Sequence, residues 1–306
     1  MKTFPGPLMR AGGTDRTYIF IRDNPHPRPQ AVRGLVEELW AKYWPYADDD
    51  FYRDIPLYFA PRFWEMDLAC ELMAKGLVVE ERKGHGPDIP LVVEGRRVWV
   101  EAIAATDGTG DDRSQELPYT RVSRAEPRPH LPAIDFAGEG GIILRLRNAI
   151  EEKSRKYKKY LADGIVKAGE PYVIAVNGSQ IDAAIVEDDV PWIVRSVYPI
   201  GETKWDLYLE TETFTERHEH RPAVVKAKGA SVATDIFLTD EYAGISGVVY
   251  SRINAQNRDR GYVHVHNLRA TNGLNRGWLK LGTEYWPDCL KGGVTLKITD
   301  WDQGEA

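Results

Sequence analysis

Two acidic residues in this chain, one beside a turn and one inside a strand, could do chemistry together. His85-Gly86-Pro87-Asp88-Ile89 sets an aspartate beside a Gly-Pro turn. Thirteen residues later Glu101 interrupts the apolar run Arg97-Val98-Trp99-Val100-Glu101-Ala102-Ile103. That run is rich in β-branched residues and reads as a buried strand. An isolated carboxylate inside such a strand is expensive unless it is paired or binds a metal. Two carboxylates brought together at one end of a hairpin point to a divalent-cation site. The plainer alternative for Glu101 is a structural ion pair with an arginine such as Arg97 or Arg145. Asp88 alone would be an ordinary turn acid.

Two helices add candidates. Residues 62–76 carry an apolar stripe of Leu68, Ala69, Leu72 and Leu77, and Glu65 lies on that same face. Asp67 and Glu71 lie on a different face with Lys75, which suits solvent. Glu65 is therefore the acid that needs explaining, either as a site residue or as a first-turn acid favoured by the helix dipole. On residues 142–163 the stripe is Leu146, Ala149, Ile150, Tyr157 and Tyr160, and Lys153 falls inside it. Lys158 and Lys159 fall largely outside. Lys153 is the lysine aimed inward, unless it snorkels over apolar surface. His85 reads as a loop residue or a site base. His218/His220 and His264/His266 are His-x-His pairs on strand-like segments, which put both rings on one face. No cysteine or acid pattern completes a zinc set with them. No phosphate-binding glycine loop, nucleophile elbow or Cys/His dyad stands out.

The elements that must position these residues follow from periodicity and turn chemistry. Residues 31–44 and 62–76 read as helices, the second closed by Gly76. Strands are expected over 77–81, 89–94 and 98–104, with a hairpin turn at Glu94-Gly95-Arg96-Arg97. Residues 106–140, polar and rich in Gly, Pro and Asp, read as a long loop. A basic helix over 142–163 stops at Gly164, and a strand over 172–177 lies parallel to the earlier one if the helix is a crossover. Residues 183–240 are turn-rich, and 245–251 and 262–266 read as further strands. The fold class expected is α/β: a mixed central sheet flanked by helices with a β-rich C-terminal extension, in one elaborated domain over 1–306.

Composition sets outer bounds. The 306 residues are 42% hydrophobic and 28% charged, as in an ordinary globular protein. No apolar run reaches membrane-spanning length, and Met1 to Arg16 has no signal-peptide core. The two cysteines, Cys70 and Cys289, form no disulfide framework, so a cytoplasmic setting is expected. A net charge of −6 argues against binding nucleic acid by overall charge. It leaves room for a local cluster, Lys153, Arg155, Lys156, Lys158 and Lys159, preceded by Arg145 and Arg147.

The order Glu65 on a helix, Asp88 before a strand, Glu101 in the next strand and Lys153 on a following helix resembles the PD-(D/E)xK nuclease superfamily, the restriction-endonuclease-like fold. The matching residues are Pro87-Asp88 and Glu101-Ala102-Ile103, and the resemblance covers roughly residues 62–178. Residues 179–306 would continue or extend the sheet. The chain is also similar to a group of uncharacterised bacterial proteins with a Gly-Pro-Asp element and a lysine-rich helix leading into Glu170-Pro171-Tyr172-Val173-Ile174-Ala175-Val176-Asn177. That likeness supports the fold and brings no activity. One departure is clear. The superfamily's lysine position holds Ile103, and Lys153 suits the migrated lysine that some members carry on the following helix. Lys153-x-x-x-Tyr157 is similar to a Gln-x-x-x-Tyr element of that helix in other members.

The resemblance implies a Mg²⁺-dependent nuclease (Mn²⁺ an alternative ion) that hydrolyses DNA phosphodiester bonds in defence, restriction or repair. Asp88 and Glu101 would hold the metal, with Glu65 helping directly or through water and a carbonyl of Ala102 or Ile103 adding a ligand. Lys153 would orient the attacking water. Arg145, Lys156, Tyr157 and His85 would contact the substrate. Residues 106–140 and 183–240 would form the walls that set specificity. A homodimer would suit double-strand cleavage. Two other readings compete. One is a nucleic-acid-binding or assembly protein on the same fold that has lost catalysis, supported by Ile103. The other is a metal-dependent hydrolase built on the His-x-His pairs.

Overall fold

In the computed structural model, the residues described are 3–82, 84–110, 113–114, 139–185, 189–208, 213–290 and 293–302. Most of the loop expected over 106–140 lies outside them.

Four helices come first: α1 (Arg16–Asp23), α2 (Pro27–Tyr43), the short α3 (Phe51–Asp54) and α4 (Phe59–Ala74). Helix α1 begins where the Asp15 carboxylate accepts the Thr17 and Tyr18 amides, a side-chain N-cap. Helix α4 ends as Gly76 predicts. That glycine takes φ +82°, the Gly76 amide donates to the Met73 carbonyl and the Leu77 amide to the Leu72 carbonyl. This paired C-terminal closure satisfies two otherwise orphaned carbonyls.

Strands β1 (Val78–Val79), β2 (Ile89–Val93) and β3 (Arg96–Thr106) pair antiparallel in sequence order. Val93 faces Arg96 across Glu94 and Gly95, both at positive φ, so the predicted turn is a two-residue hairpin matched to strand twist. Helix α5 (Glu139–Ala162) then crosses back to β4 (Tyr172–Gln180), which pairs parallel with β3. The expected order of helix, three strands, helix and strand is present over these residues.

The rest of the chain enlarges this unit. After α6 (Trp192–Val197), strands β5 (Ile200–Tyr208) and β6 (Thr213–His220) form a separate hairpin, and β7 (Ala223–Val225) and β8 (Ser231–Ala233) form another. Strands β9 (Gly247–Ser251), β10 (Tyr262–His266), β11 (Thr283–Leu290) and β12 (Gly293–Asp300) rejoin the main sheet. Its order is β1-β2-β3-β4-β9-β10-β11-β12. It is a mixed sheet, parallel at β3–β4, β4–β9 and β10–β11. Strands β11 and β12 have no counterpart in the sequence reading beyond the expected β-rich C-terminal extension; Pro287 falls within β11.

Strand alternation sorts side chains between two layers. Val98, Val100 and Ala102 join a core with Trp40, Phe63 and Trp64 of α2 and α4. Trp99 and Ile103 face the opposite core, built with Leu146, Ile150 and Trp192 of α5 and α6. Trp64 links the first layer to both halves of the sheet. It is fully buried, its Nε1 donates to the Ala175 carbonyl at 3.1 Å, and it stacks on Tyr262. Trp64→Ala should therefore cost ~3–5 kcal/mol in urea unfolding, with Trp64→Phe recovering part of the loss.

Candidate functional site: an acidic pair beneath two lysines

Glu101 follows the alternation of β3 and points at α5, where it is fully buried. Two ammonium groups from successive turns of that helix meet one of its oxygens. Lys153 Nζ lies 2.8 Å and Lys156 Nζ 2.6 Å from Glu101 Oε1. The other oxygen, Oε2, is buried with no hydrogen-bond partner. The arginines considered as partners lie elsewhere. Arg97 pairs with Glu80, and Arg145 packs its guanidinium over Gly108 at the far end of β3.

Asp88 immediately precedes β2, one step beyond the Ile89–Val100 pair. Its Oδ2 accepts the Ala102 amide at 2.8 Å, which fastens it beside Glu101. Its Oδ1 has Arg82 Nη1 at 3.5 Å. Arg82 reaches across the loop to Asp48 at 2.6 Å and to the Gly86 carbonyl at 2.7 Å. Gly86 is also held by the Tyr160 hydroxyl at 3.1 Å, so α5 clamps the turn that carries Asp88.

Glu65 is buried on the α4 side, as its helical position predicts. Tyr43 donates to Oε1 at 2.7 Å and Arg62 to Oε2 at 2.9 Å. Arg62 also pairs with Asp48 and Asp54. Burial, followed by the negative charge of Asp88, pushes Glu65 up to about 7 against the pull of Arg62. The same two causes raise Glu101 despite both lysines. Burial disfavours the Lys156 ammonium, but the Glu101 carboxylate more than offsets this and holds it well above the usual lysine range. Asp88 raises both glutamates, which places the three acids in one electrostatic neighbourhood. They do not form a tight three-ligand cluster.

Comparison with known proteins finds no matching protein family, no matching curated protein and no matching solved structure. The reading of this site rests on its own residues.

The remaining expected residues divide. Lys156 is drawn into the site. His85 is exposed beside Gly86 at its mouth. Tyr157 is buried against the Tyr172 ring and against Gly244. Arg145, two turns from Lys153, is not part of the cluster. Asp67, expected on a solvent face, is fully buried. Arg258 Nε lies 2.8 Å from its Oδ1, and the Tyr262 hydroxyl donates to Oδ2 at 3.1 Å. The reason is topological: the approach to β10 covers this second face of α4. The sequence reading also missed the cations on the acid side. Arg62 and Arg82 look like surface residues until the fold brings Asp48 and Asp54 to them. Among the described residues, one group of three metal-type side chains gathers its donor atoms within 4.8 Å: His264, His266 and Glu284. Glu284 supplies the acid that the sequence did not reveal.

The Glu65 shift has a pH consequence. The folded chain binds this proton up to about pH 7, whereas the unfolded chain releases it near 4.5. Folded molecules therefore hold more protons between these values, and stability falls as pH rises through them. Glu65→Gln removes this titration. Urea unfolding in the presence of a chelator should show a shallower loss of stability between about pH 4.5 and 7. Some slope persists, because Asp67, raised to about 6, titrates with the same sign.

Proposed function

We propose that this chain is a metal-dependent nuclease of the restriction-endonuclease-like type, acting on DNA. The observation that carries the reading is the state of Glu101: a fully buried carboxylate with two lysines on one oxygen and nothing on the other, beside Asp88. A buried acceptor left unsatisfied is costly, and a carboxylate raised in pKa despite two ammonium neighbours is short of positive charge. A divalent cation fits that deficit. Asp88 and Glu101 offer hard oxygen donors of the type Mg²⁺ takes, with substrate phosphate and water completing its shell. Glu65 would act through water, because Tyr43 and Arg62 already occupy its oxygens. When bound, the metal would supply an acidified water and stabilise charge on the scissile phosphate.

The chain's own groups have separable roles in this reading. Asp88 is fixed by the Ala102 amide, so its other oxygen, which faces Arg82 at 3.5 Å, is aimed without a search. Lys153 stands in for the lysine that Ile103 lacks: residue 103 shares the Glu101 face of β3, and the Lys153 ammonium reaches that face from α5. It would hold the attacking water and offset charge in the transition state. Lys156 is half-buried and can leave Glu101 for a phosphate oxygen once a metal takes over neutralisation. Arg155, Lys158 and Lys159 lie exposed on the same helix and suit backbone contacts, which give affinity without sequence information.

A second reading, a DNA-binding or assembly protein without catalysis, is favoured by Arg82. Its contact with Asp88 and its 2.6 Å pair with Asp48 already supply a cation to the acid side. Cleavage of supercoiled plasmid and single-stranded DNA in Mg²⁺ or Mn²⁺ separates the two. Glu101→Ala should fall to background and Lys153→Ala should slow cleavage by about 100- to 1000-fold. Wild-type protein that neither cleaves DNA nor binds a divalent ion by calorimetry would leave the non-catalytic reading standing.

A further inference from the structure

The second charged group in the core lies on the opposite face of the sheet from Glu101. Tyr262, His264 and His266 alternate with Val263 and Val265 along β10. Tyr262 stacks on Trp64 of α4, whereas Val265 joins the α5-side core. The two histidines therefore share the α4-side face. Parallel pairing of β10 with β11 sets Glu284 directly across from His264. His266 Nε2 is 2.7 Å and His264 Nδ1 3.7 Å from Glu284 Oε1, and the two rings are 4.1 Å apart. All three residues are at most 3% exposed.

We propose that His264, His266 and Glu284 bind a zinc-type divalent ion that fastens β10 to β11. Two observations support this. The first is the donor set. Two imidazole nitrogens and one carboxylate oxygen within 4.8 Å suit Zn²⁺ with a water in fourth place, and are a poor match for Mg²⁺, which prefers oxygen ligands.

The second observation is the surrounding support. The Gly277 amide donates to both Glu284 oxygens at 2.9 and 3.1 Å, and Trp301 Nε1 donates to Oε2 at 3.0 Å. A carboxylate oriented in this way from the loop and from the C-terminal segment resembles a ligand held by its outer contacts. One neighbour competes. Trp278 Nε1 lies 3.1 and 3.2 Å from the two His264 nitrogens, so the indole N–H covers the edge that a metal would use. Ligation by His264 requires the indole to swing off one nitrogen.

The test is zinc titration of the chelator-stripped full chain, followed by elemental analysis and by the visible spectrum of the Co²⁺-loaded protein. Wild type should take up about one zinc per chain, melt at a higher temperature when loaded, and show tetrahedral-type Co²⁺ bands. Glu284→Gln keeps the side chain's shape and should weaken zinc binding on the order of 100-fold. Trp278→Phe removes the competing N–H and should tighten it. Asp88→Ala and Glu101→Ala should leave the zinc content unchanged, so this site stands or falls separately from the nuclease reading. Folded wild type that takes up no zinc and gives no Co²⁺ bands would overturn the proposal, as would Glu284→Gln with wild-type affinity. The wild-type result decides even if a variant fails to fold.

Discussion

A carboxylate that no water can reach must be answered by cations, and Glu101 is answered from a single direction. Strand β3 runs through the middle of the N-terminal half of the sheet, and on its α5-facing side Glu101 is fully buried between the half-buried Trp99 and Ile103. The two lysines that meet Glu101 come from successive turns of α5, and that fixes where the helix lies on the sheet. Tyr160, one turn further along, clamps Gly86 and with it the turn that carries Asp88. An ion pair of this kind seldom adds net stability, because desolvating the charges cancels most of their attraction. Apolar residues would pack the same space at less cost. In the proposed reading, its presence beside a largely apolar core is the cost of holding charge for catalysis.

Around Asp88 and Glu65 the arrangement differs. Arg62 and Arg82 interleave with Asp48, Asp54, Glu65 and Asp88, so each acid has a cation in contact, and this network forms the α4-side wall of the site. The lysine side is concentrated and leaves one oxygen orphaned; the arginine side is distributed and largely satisfied. A cation entering between them would meet Glu101 as the needier partner and Asp88 as the better-positioned one. The histidine–glutamate group on the other face answers its carboxylate differently, through N–H groups from Gly277 and Trp301, and its proposed ion would be chosen by ligand softness more than by charge.

Much of the site could be read in the sequence because the decisive residues break a local pattern. Glu101 interrupts a strand, Lys153 falls within an apolar helical stripe, and Glu65 shares a face with Leu68 and Leu72. Each anomaly is detectable within a few residues of chain. What escaped depends on distant pairing. Asp67 was expected in solvent because nothing near it announces Arg258, about 190 residues away. Glu284 sits in a segment whose proline hides a strand, and it matters only because β11 lies parallel to β10. The sheet order was likewise out of reach: helices and hairpins declare themselves locally, whereas the β4–β9 junction is a long-range contact with no local signature.

That junction shapes how the protein must be made. On leaving the ribosome, β4 has β3 on one side and nothing on the other until β9 follows, about 70 residues later. Through that interval a strand of Val, Ile and Ala presents an unpaired edge, the arrangement most prone to pairing with a neighbouring chain. The intervening β5–β6 and β7–β8 hairpins pair within themselves and cannot cap it. The interior of this sheet is therefore completed from outside its N-terminal unit. A nascent chain stalled before β9 would carry much of the proposed catalytic constellation on a scaffold that is still adhesive.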